Sequence, residues 1–510
     1  MNESNINYKS LYIDIEQRGE EEINFFKKIF SKSINYINFF NSLNINYDRI
    51  EKLTCNYFYC FYPPKRYKSK IFYNSLLSSF QNKNNLIYLN LTVGNFCNNI
   101  DIINEFKSLK YLYLNHFHFT QKLVINLPNL EEIGIINCKA IKINFDDINQ
   151  NIKFLQIKRS SIEISGKNID LPNAQTIILD ENLIKFADIF NFSSLKKIEK
   201  FCGTYEFLKI MNLKFLKYLE LKEIPIYQRQ KNEFISVMEK IIALENLKEI
   251  ILDISYLSSE YYNEIKGQNK FVTNLKIIFE YQILEYVINI LLRIFPNITD
   301  LDIDFTFCPI SDNKKLKEIK MDENLKITKM NLKFDYLSKF KFNHISFENL
   351  IELKLIINQI SNINKIINSF NNNNNQIKFS SLKIFSIIEN SVTFSCYEED
   401  IDKFLNNINN KLMPNLEDLT LNCSRLYEKN YYKQLYERFL LVNLKKIDLK
   451  LINPISRDNY SLKELKEIFP NINFCKFENV WIERYNQEKV MKYQNYIKEF
   501  NDIFEIYYIS

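Results

Sequence analysis

The apolar positions of this chain recur in a triplet that is neither helical nor a plain strand alternation. In "LPNLEEIGIINCKAI" (127–141), Leu130, Ile133 and Ile135 are spaced three and then two apart, and Cys138 follows three residues later. Ile133 and Ile135 point to one face of a short strand and Gly134 to the other. Leu130 reaches the same side from the preceding turn. The triplet returns as Leu86/Leu89/Leu91, Leu109/Leu112/Leu114, Ile152/Leu155/Ile157, Ala174/Ile177/Leu179 and Leu216/Leu219/Leu221. It continues as Leu247/Ile250/Leu252, Ile298/Leu301/Ile303, Leu350/Leu353/Leu355, Leu382/Phe385/Ile387, Leu416/Leu419/Leu421 and Leu444/Ile447/Leu449. Weaker copies start near Leu195, Ile327 and Ile472, and another lies within 272–280.

The starts fall about 21–23 residues apart up to Leu216 and roughly 23–34 apart beyond it. The longer gaps hold helical spacing at 232–247, where Phe234, Val237, Ile241 and Ile242 share a face, and at 282–297 and 461–471. The last two end just before Pro-Asn, which stops a helix and launches a strand. A fixed period of this length is the mark of a stacked array. One repeat loses more in backbone ordering than its few apolar side chains return. Stacked neighbours share hydrogen bonds and a core, so the array can stand where one repeat cannot.

The pattern L-x-x-L-x-L resembles the leucine-rich-repeat family over residues 85–480. That family's motif continues to an asparagine or cysteine, a position held here by Cys138, Asn182, Asn358 and Asn390, and elsewhere by Ser160, Thr306 or Ser424. The resemblance implies an α/β solenoid, a horseshoe with a concave parallel β-sheet. Its convex side is expected to be loop-rich in the N-terminal repeats and helical in the C-terminal ones. Residues 1–84 are expected to form a helical N-terminal cap, although "DRIEKLTCNYFYC" offers a degenerate strand through Ile50, Leu53 and Cys55. Residues 481–510 are expected to form a C-terminal cap. "FNNNNNQ" (370–376) reads as a disordered surface insertion.

Composition narrows the function classes. Of 510 residues 46% are apolar and 25% charged, so most of the chain should fold. The net charge of +6, from 67 basic and 61 acidic residues, argues for neither nucleic acid nor an anionic membrane. Nine scattered cysteines, without a C-x-x-C pair, fit reduced buried thiols. No signal peptide or apolar run of spanning length is evident, so a cytoplasmic location is expected. With only 6 glycines there is no P-loop and no G-x-G-x-x-G, and there is no G-x-S-x-G. No catalysis, cofactor or small-molecule substrate is expected.

The remaining candidates are surface features. His116 and His118, two apart in "LNHFHFT", lack a third metal ligand nearby and read as turn-lining. "PPKRYKSK" (63–70) reads as a solvated basic loop. In "DLDIDF", Asp300, Asp302 and Asp304 face outward and should pair with Lys329, Asn331 and Lys333 on the next strand. The family usually binds protein partners on its exposed strand face. The candidate binding residues here are Tyr88, Tyr111, Tyr113 and Phe154, then a mixed-charge strip with Lys217, Glu220, Lys248 and Asp302. The leading expectation is a protein-interaction scaffold. The alternative is an F-box-like substrate-recognition subunit of a ubiquitin ligase, with its adaptor segment in the N-terminal region.

Overall fold

The computed structural model describes residues 9–17, 47–59, 73, 76–93, 101–145, 151–165, 169–179, 191, 195–208, 211, 213–222, 231–254, 264–279, 285–306, 317–320, 325–334, 340–343, 347–357, 379–389, 413–422, 445–451 and 474–479. The chain divides into two units, Met1–Lys222 and Glu223–Ser510. In the first, parallel strands pair in the order Ser10–Gln17, Lys52–Tyr59, Tyr88–Val93, Tyr111–Asn115, Glu132–Ile136, Phe154–Lys158, Thr176–Leu179, Lys200–Gly203 and Tyr218–Leu221. In the second, the order is Glu249–Ile254, Asn274–Phe279, Asp300–Phe305, Lys329–Phe334, Glu352–Ile357, Ile384–Glu389, Asp418–Asn422, Lys446–Leu451 and Phe474–Asn479.

The register is set by the apolar triplets. The middle residues Leu89, Leu112, Ile133, Leu155, Ile177, Phe201 and Leu219 are cross-strand partners in turn. Ile250, Leu275, Leu301, Met330, Leu353, Phe385 and Leu419 do the same in the second unit. All of these are buried. A one-residue slip would turn each set outward, so burial fixes the pairing. The doubtful copy within 272–280 is a full rung, with Val272, Leu275 and Ile277 buried. The copy near Leu195 starts three residues later, at Ile198, because Phe201 pairs with Leu219 and Gly203 with Leu221. A Cβ at Gly203 would lie 2.8 Å from the Phe201 ring. The large ring thus takes the volume that the third side chain fills in other rungs.

The Pro-Asn pairs have a second use. The side-chain amides of Asn129, Asn297 and Asn415 donate to the carbonyls of Lys107, Lys270 and Ser380 in the preceding repeat, at 2.9, 2.8 and 2.6 Å. Each asparagine therefore ties its turn to the one before. Two expected helices are present, Lys231–Ile242 and Glu285–Ile294. Val237, Met238 and Ile241 are buried on the first, and Val287, Ile288, Leu291 and Ile294 on the second. Buried Asn269 ties off the first helix. Its amide donates to the Ile241 and Leu244 carbonyls at 3.0 and 2.9 Å, satisfying carbonyls that a helix end leaves open. The expected helix at 461–471 lies outside the described residues, as do 63–70, 370–376, 481–510, Asn182, Asn358, Asn390 and Ser424.

Two regions differ from the sequence reading. Loops were expected after the early strands, but His118–Ile125, Lys139–Asn144 and Ser161–Ser165 form a second parallel sheet. Alternating Ile141/Ile143 and Ile162/Ile164 are buried there. The chain turns into these strands through left-handed residues at matching positions, His116, Asn137 and Arg159, at φ 61°, 52° and 49°. The next residues, Phe117, Cys138 and Ser160, are buried. The Ser160 hydroxyl accepts from the Cys138 amide at 3.0 Å, and the Cys138 thiol donates to the Leu114 carbonyl at 3.3 Å. These two form the side-chain ladder expected of the asparagine/cysteine position. Burial pushes the Cys138 thiol up to about 12, so it is an inert structural group.

The second difference lies in residues 1–84. Ser10–Gln17 and Lys52–Tyr59 are strands of the sheet, not helices, and Ile50, Leu53 and Cys55 are buried as a rung. The alternation in "LYIDI" is a strand signal without the preceding turn that marks the other rungs. The one or two helices expected in "EEINFFKKIFSKSINYINFFNSL" (21–43) lie outside the described residues.

Candidate partner-binding surface

Each rung turns one face of its strand inward, and the alternate residues form the outward face. In the first unit the structure gathers four of the expected residues there. Tyr88 and Tyr111 are cross-strand partners with ring centres 6.2 Å apart. Tyr113 lies 5.7 Å from Tyr88 and 6.2 Å from Phe154. Phe154 sits two strands away from Tyr113, across the Glu132–Ile136 strand.

Gly134 makes that reach possible. It is the cross-strand partner of Tyr113, and a Cβ there would lie 2.5 Å from the Tyr113 ring. Without one, an edge of the ring passes close over the strand and closes the gap to Phe154. The Tyr113 hydroxyl donates to the Glu132 carboxylate. Burial, and then that hydrogen bond, push the Tyr113 phenol well above its ordinary range. All four aromatic residues are half-buried, so each keeps ring surface exposed. The side-chain carbonyl of Asn90, the strand partner of Tyr113, is buried and accepts no hydrogen bond among the described residues.

A row of charges borders the rings. Glu131 pairs with Lys110 at 2.8 Å and Lys153 at 2.6 Å. Hydrogen bonds from these two lysines hold the Glu131 carboxyl below its usual range. The expected Lys217 and Glu220 lie farther along this sheet and are engaged locally. Lys217 pairs with Glu199 at 3.0 Å. Glu220 accepts from the Tyr218 hydroxyl at 3.1 Å and lies 3.7 Å from Lys222.

The outward face of the second unit is built from charge. Asp302 pairs with Lys276 at 3.3 Å, on the preceding strand and not the following one. Asp304 pairs with Lys333 at 3.0 Å, as the strand register requires. Lys329 lies 4.0 Å from Glu352, and Lys446 lies 3.0 Å from Asp418. Burial alone would raise the Asp304 carboxyl, but the Thr306 hydroxyl and amide and the Lys333 ammonium outweigh it and hold it below its ordinary range. Lys248 is exposed, with its ammonium 5.8 Å from the centre of the Phe271 ring. A shallow groove of about 350 Å³ crosses this face, lined among others by Lys276, Asp300, Asp302, Lys329 and Asn331.

Sequence reasoning missed a threonine ladder at the start of three adjoining strands. The hydroxyls of Thr299 and Thr328 donate to the carbonyls of Thr273 and Thr299 at 3.4 and 3.3 Å, and the Thr273 hydroxyl lies 3.4 Å from the Lys248 carbonyl while donating to the Asn274 side-chain oxygen at 2.9 Å. Its signal was a Thr just before each strand. His116 is a left-handed turn residue, as read, whereas His118 begins a strand. The His116 ring nitrogen lies 3.1 Å from the Asn137 amide. Among the described residues no group of three or more His, Cys, Asp or Glu could hold a metal, and no helix is long and apolar enough to cross a membrane.

No family model matches the sequence, and no curated protein matches it. A solved leucine-rich-repeat protein of Leptospira interrogans is similar, at 15% identity over 85% of this chain and 90% of that one, with a TM-score of 0.31. A plant peptide hormone receptor, RGFR1 in complex with RGF2, is similar at 13% identity over 78% of this chain and 64% of that one, with a TM-score of 0.27. The chain's own geometry carries the assignment of fold: parallel strands one per repeat, buried L-x-x-L-x-L triplets in register, and a turn ladder at Cys138 and Ser160. The chain folds as an irregular leucine-rich-repeat array.

Proposed function

We propose that the chain is a non-catalytic protein-interaction scaffold that holds a protein partner against the outward sheet face of its first unit. One observation carries this reading. Tyr88, Tyr111, Tyr113 and Phe154 form one half-exposed aromatic surface, with neighbouring ring centres 5.7–6.2 Å apart. Clustered tyrosines offer large, rigid contact area with a polar tip, the composition of an interface hot spot. Several charges of the second unit's face are instead engaged in cross-strand pairs. The F-box alternative gains no support: strands occupy Ser10–Gln17 and Lys52–Tyr59 of the region assigned to the adaptor segment, and 18–46 lies outside the described residues.

The test is a Tyr88→Ser/Tyr111→Ser double variant, with partners identified by proximity labelling of the parent chain. Affinity for the identified partner should fall by about 2 kcal/mol or more, with the melting temperature unchanged. Unchanged affinity, or a fall in stability without selective loss of binding, would place those rings in a purely structural role.

A further inference from the structure

The second unit carries a second, larger groove. Its volume is about 800 Å³, and it follows the starts of five successive strands, Lys329–Phe334 to Lys446–Leu451. Four steps of about 4.8 Å between strands give it a length of roughly 19 Å, which an extended peptide of about six residues would fill.

The charge of the lining is unbalanced. Among the described residues of the lining, Lys326, Lys383 and Lys445 face one acid, Glu417, three positive charges against one negative. Glu417 lies between two of the lysines, 3.3 Å from Lys383 and 2.8 Å from Lys445. Lys326 is exposed and has no ion pair among the described residues. Ile351 lies in the same lining at 40% exposure, an apolar side chain among lysines and hydroxyls such as that of Ser381. Its backbone is bonded to the rungs on both sides, the amide to the Thr328 carbonyl and the carbonyl to the Lys383 and Ile384 amides.

We infer that this groove docks an extended acidic segment of a partner protein, with carboxylates at Lys326 and at the Lys383–Lys445 pair and one apolar side chain on Ile351. Charge complementarity selects the occupant. Among the described residues no aromatic side chain lines the groove, and none offers the stacking platform that single-stranded nucleic acid uses. Two net charges over this length are also few for a phosphate backbone. The site is independent of the aromatic surface.

The test uses the full chain and a fluorescein-labelled peptide, Asp-Glu-Asp-Glu-Leu-Asp-Glu-Asp, followed by anisotropy. Saturable binding should weaken with rising salt. Lys326→Glu/Lys383→Glu should weaken it about tenfold or more, and Ile351→Ser about threefold. Tyr111→Ser should leave it unchanged, which separates this site from the proposed binding face. All three substituted positions of the groove are solvent-exposed or rim positions, and circular dichroism checks that the variants keep their fold. Absence of saturable binding would overturn the inference. So would equal binding of the Lys-for-acid counterpart peptide, tighter binding of a single-stranded oligouridine, or binding that the lysine reversals leave intact.

Discussion

The two units share a backbone plan and differ in what they show to solvent. Leu112 and Leu301 hold the same place in their rungs, and both are buried. Two residues before Leu114 and Ile303 respectively, the inward pattern is the same. Outward, one face carries Tyr111 and Tyr113 and the other Asp300 and Asp302. The inward positions are dictated by packing, and the outward ones are free to take up a task. The tyrosine face keeps aromatic surface uncovered, whereas the acidic face is neutralised by lysines of neighbouring strands. A partner gains most by covering the first.

The shared core is the first place to break this comparison. Leu112→Ala and Leu301→Ala should each cost about 2–5 kcal/mol, since both leave a cavity in a close-packed rung. Chemical denaturation should find the two losses of similar size. A loss below 1 kcal/mol at either site would mean that its rung is not packed as described.

Asp304 is the most demanding charge on the second face, because its side chain is only 9% exposed. Asp304→Asn should cost about 1–3 kcal/mol near neutral pH by weakening the Lys333 pair. The folded carboxyl is held below its ordinary value. Its contribution is therefore present above the unfolded pKa, about 3.9, and is lost as pH falls through the lower folded value. Stability curves of the parent and the Asn variant should converge in strong acid, and a gap that persists there would contradict the pairing.

Gly134 sharpens the aromatic side. Gly134→Ala should push the Tyr113 ring off the strand at a cost of about 1 kcal/mol and weaken partner binding. Combined with Tyr113→Ser, it should add almost nothing further to the binding loss, because both changes remove the same ring contact. Additive losses in a double-mutant cycle would mean that Gly134 acts through something other than Tyr113.

The smallest effect belongs to the exposed pairs. Exchanging Lys276 and Asp302 for each other should change stability by less than 1 kcal/mol, with the double exchange recovering most of what either single change loses. Failure of the double exchange to recover would show that these charges respond to a wider field than their immediate partner.

The inward side of this fold was legible in the sequence. Triplets such as Leu86/Leu89/Leu91 and Leu350/Leu353/Leu355 are buried as read, because an amide-paired strand leaves its side chains only two directions. The strand through Leu53 and Cys55 was legible for the same reason, even inside a segment read as helical. What escaped was set by neighbours in space. Asp302 could pair forwards or backwards, and only the placed side chains choose Lys276. The Phe201–Gly203 exchange of volume breaks the triplet rule, so the rung was placed three residues early. The left-handed turn at His116 had no glycine to announce it. The aromatic candidates were legible as a strip, but the role of Gly134 in joining Tyr113 to Phe154 was not, because it depends on the ring lying across a residue with no side chain.

A partner that covers the tyrosine face must lie within reach of position 111. The most direct measurement is site-specific photocrosslinking in cells, with a photoreactive phenylalanine analogue placed at Tyr111 in one protein and at Lys276 in another. A discrete partner should crosslink from position 111 and not from 276. Crosslinking from 276 with none from 111 would contradict it.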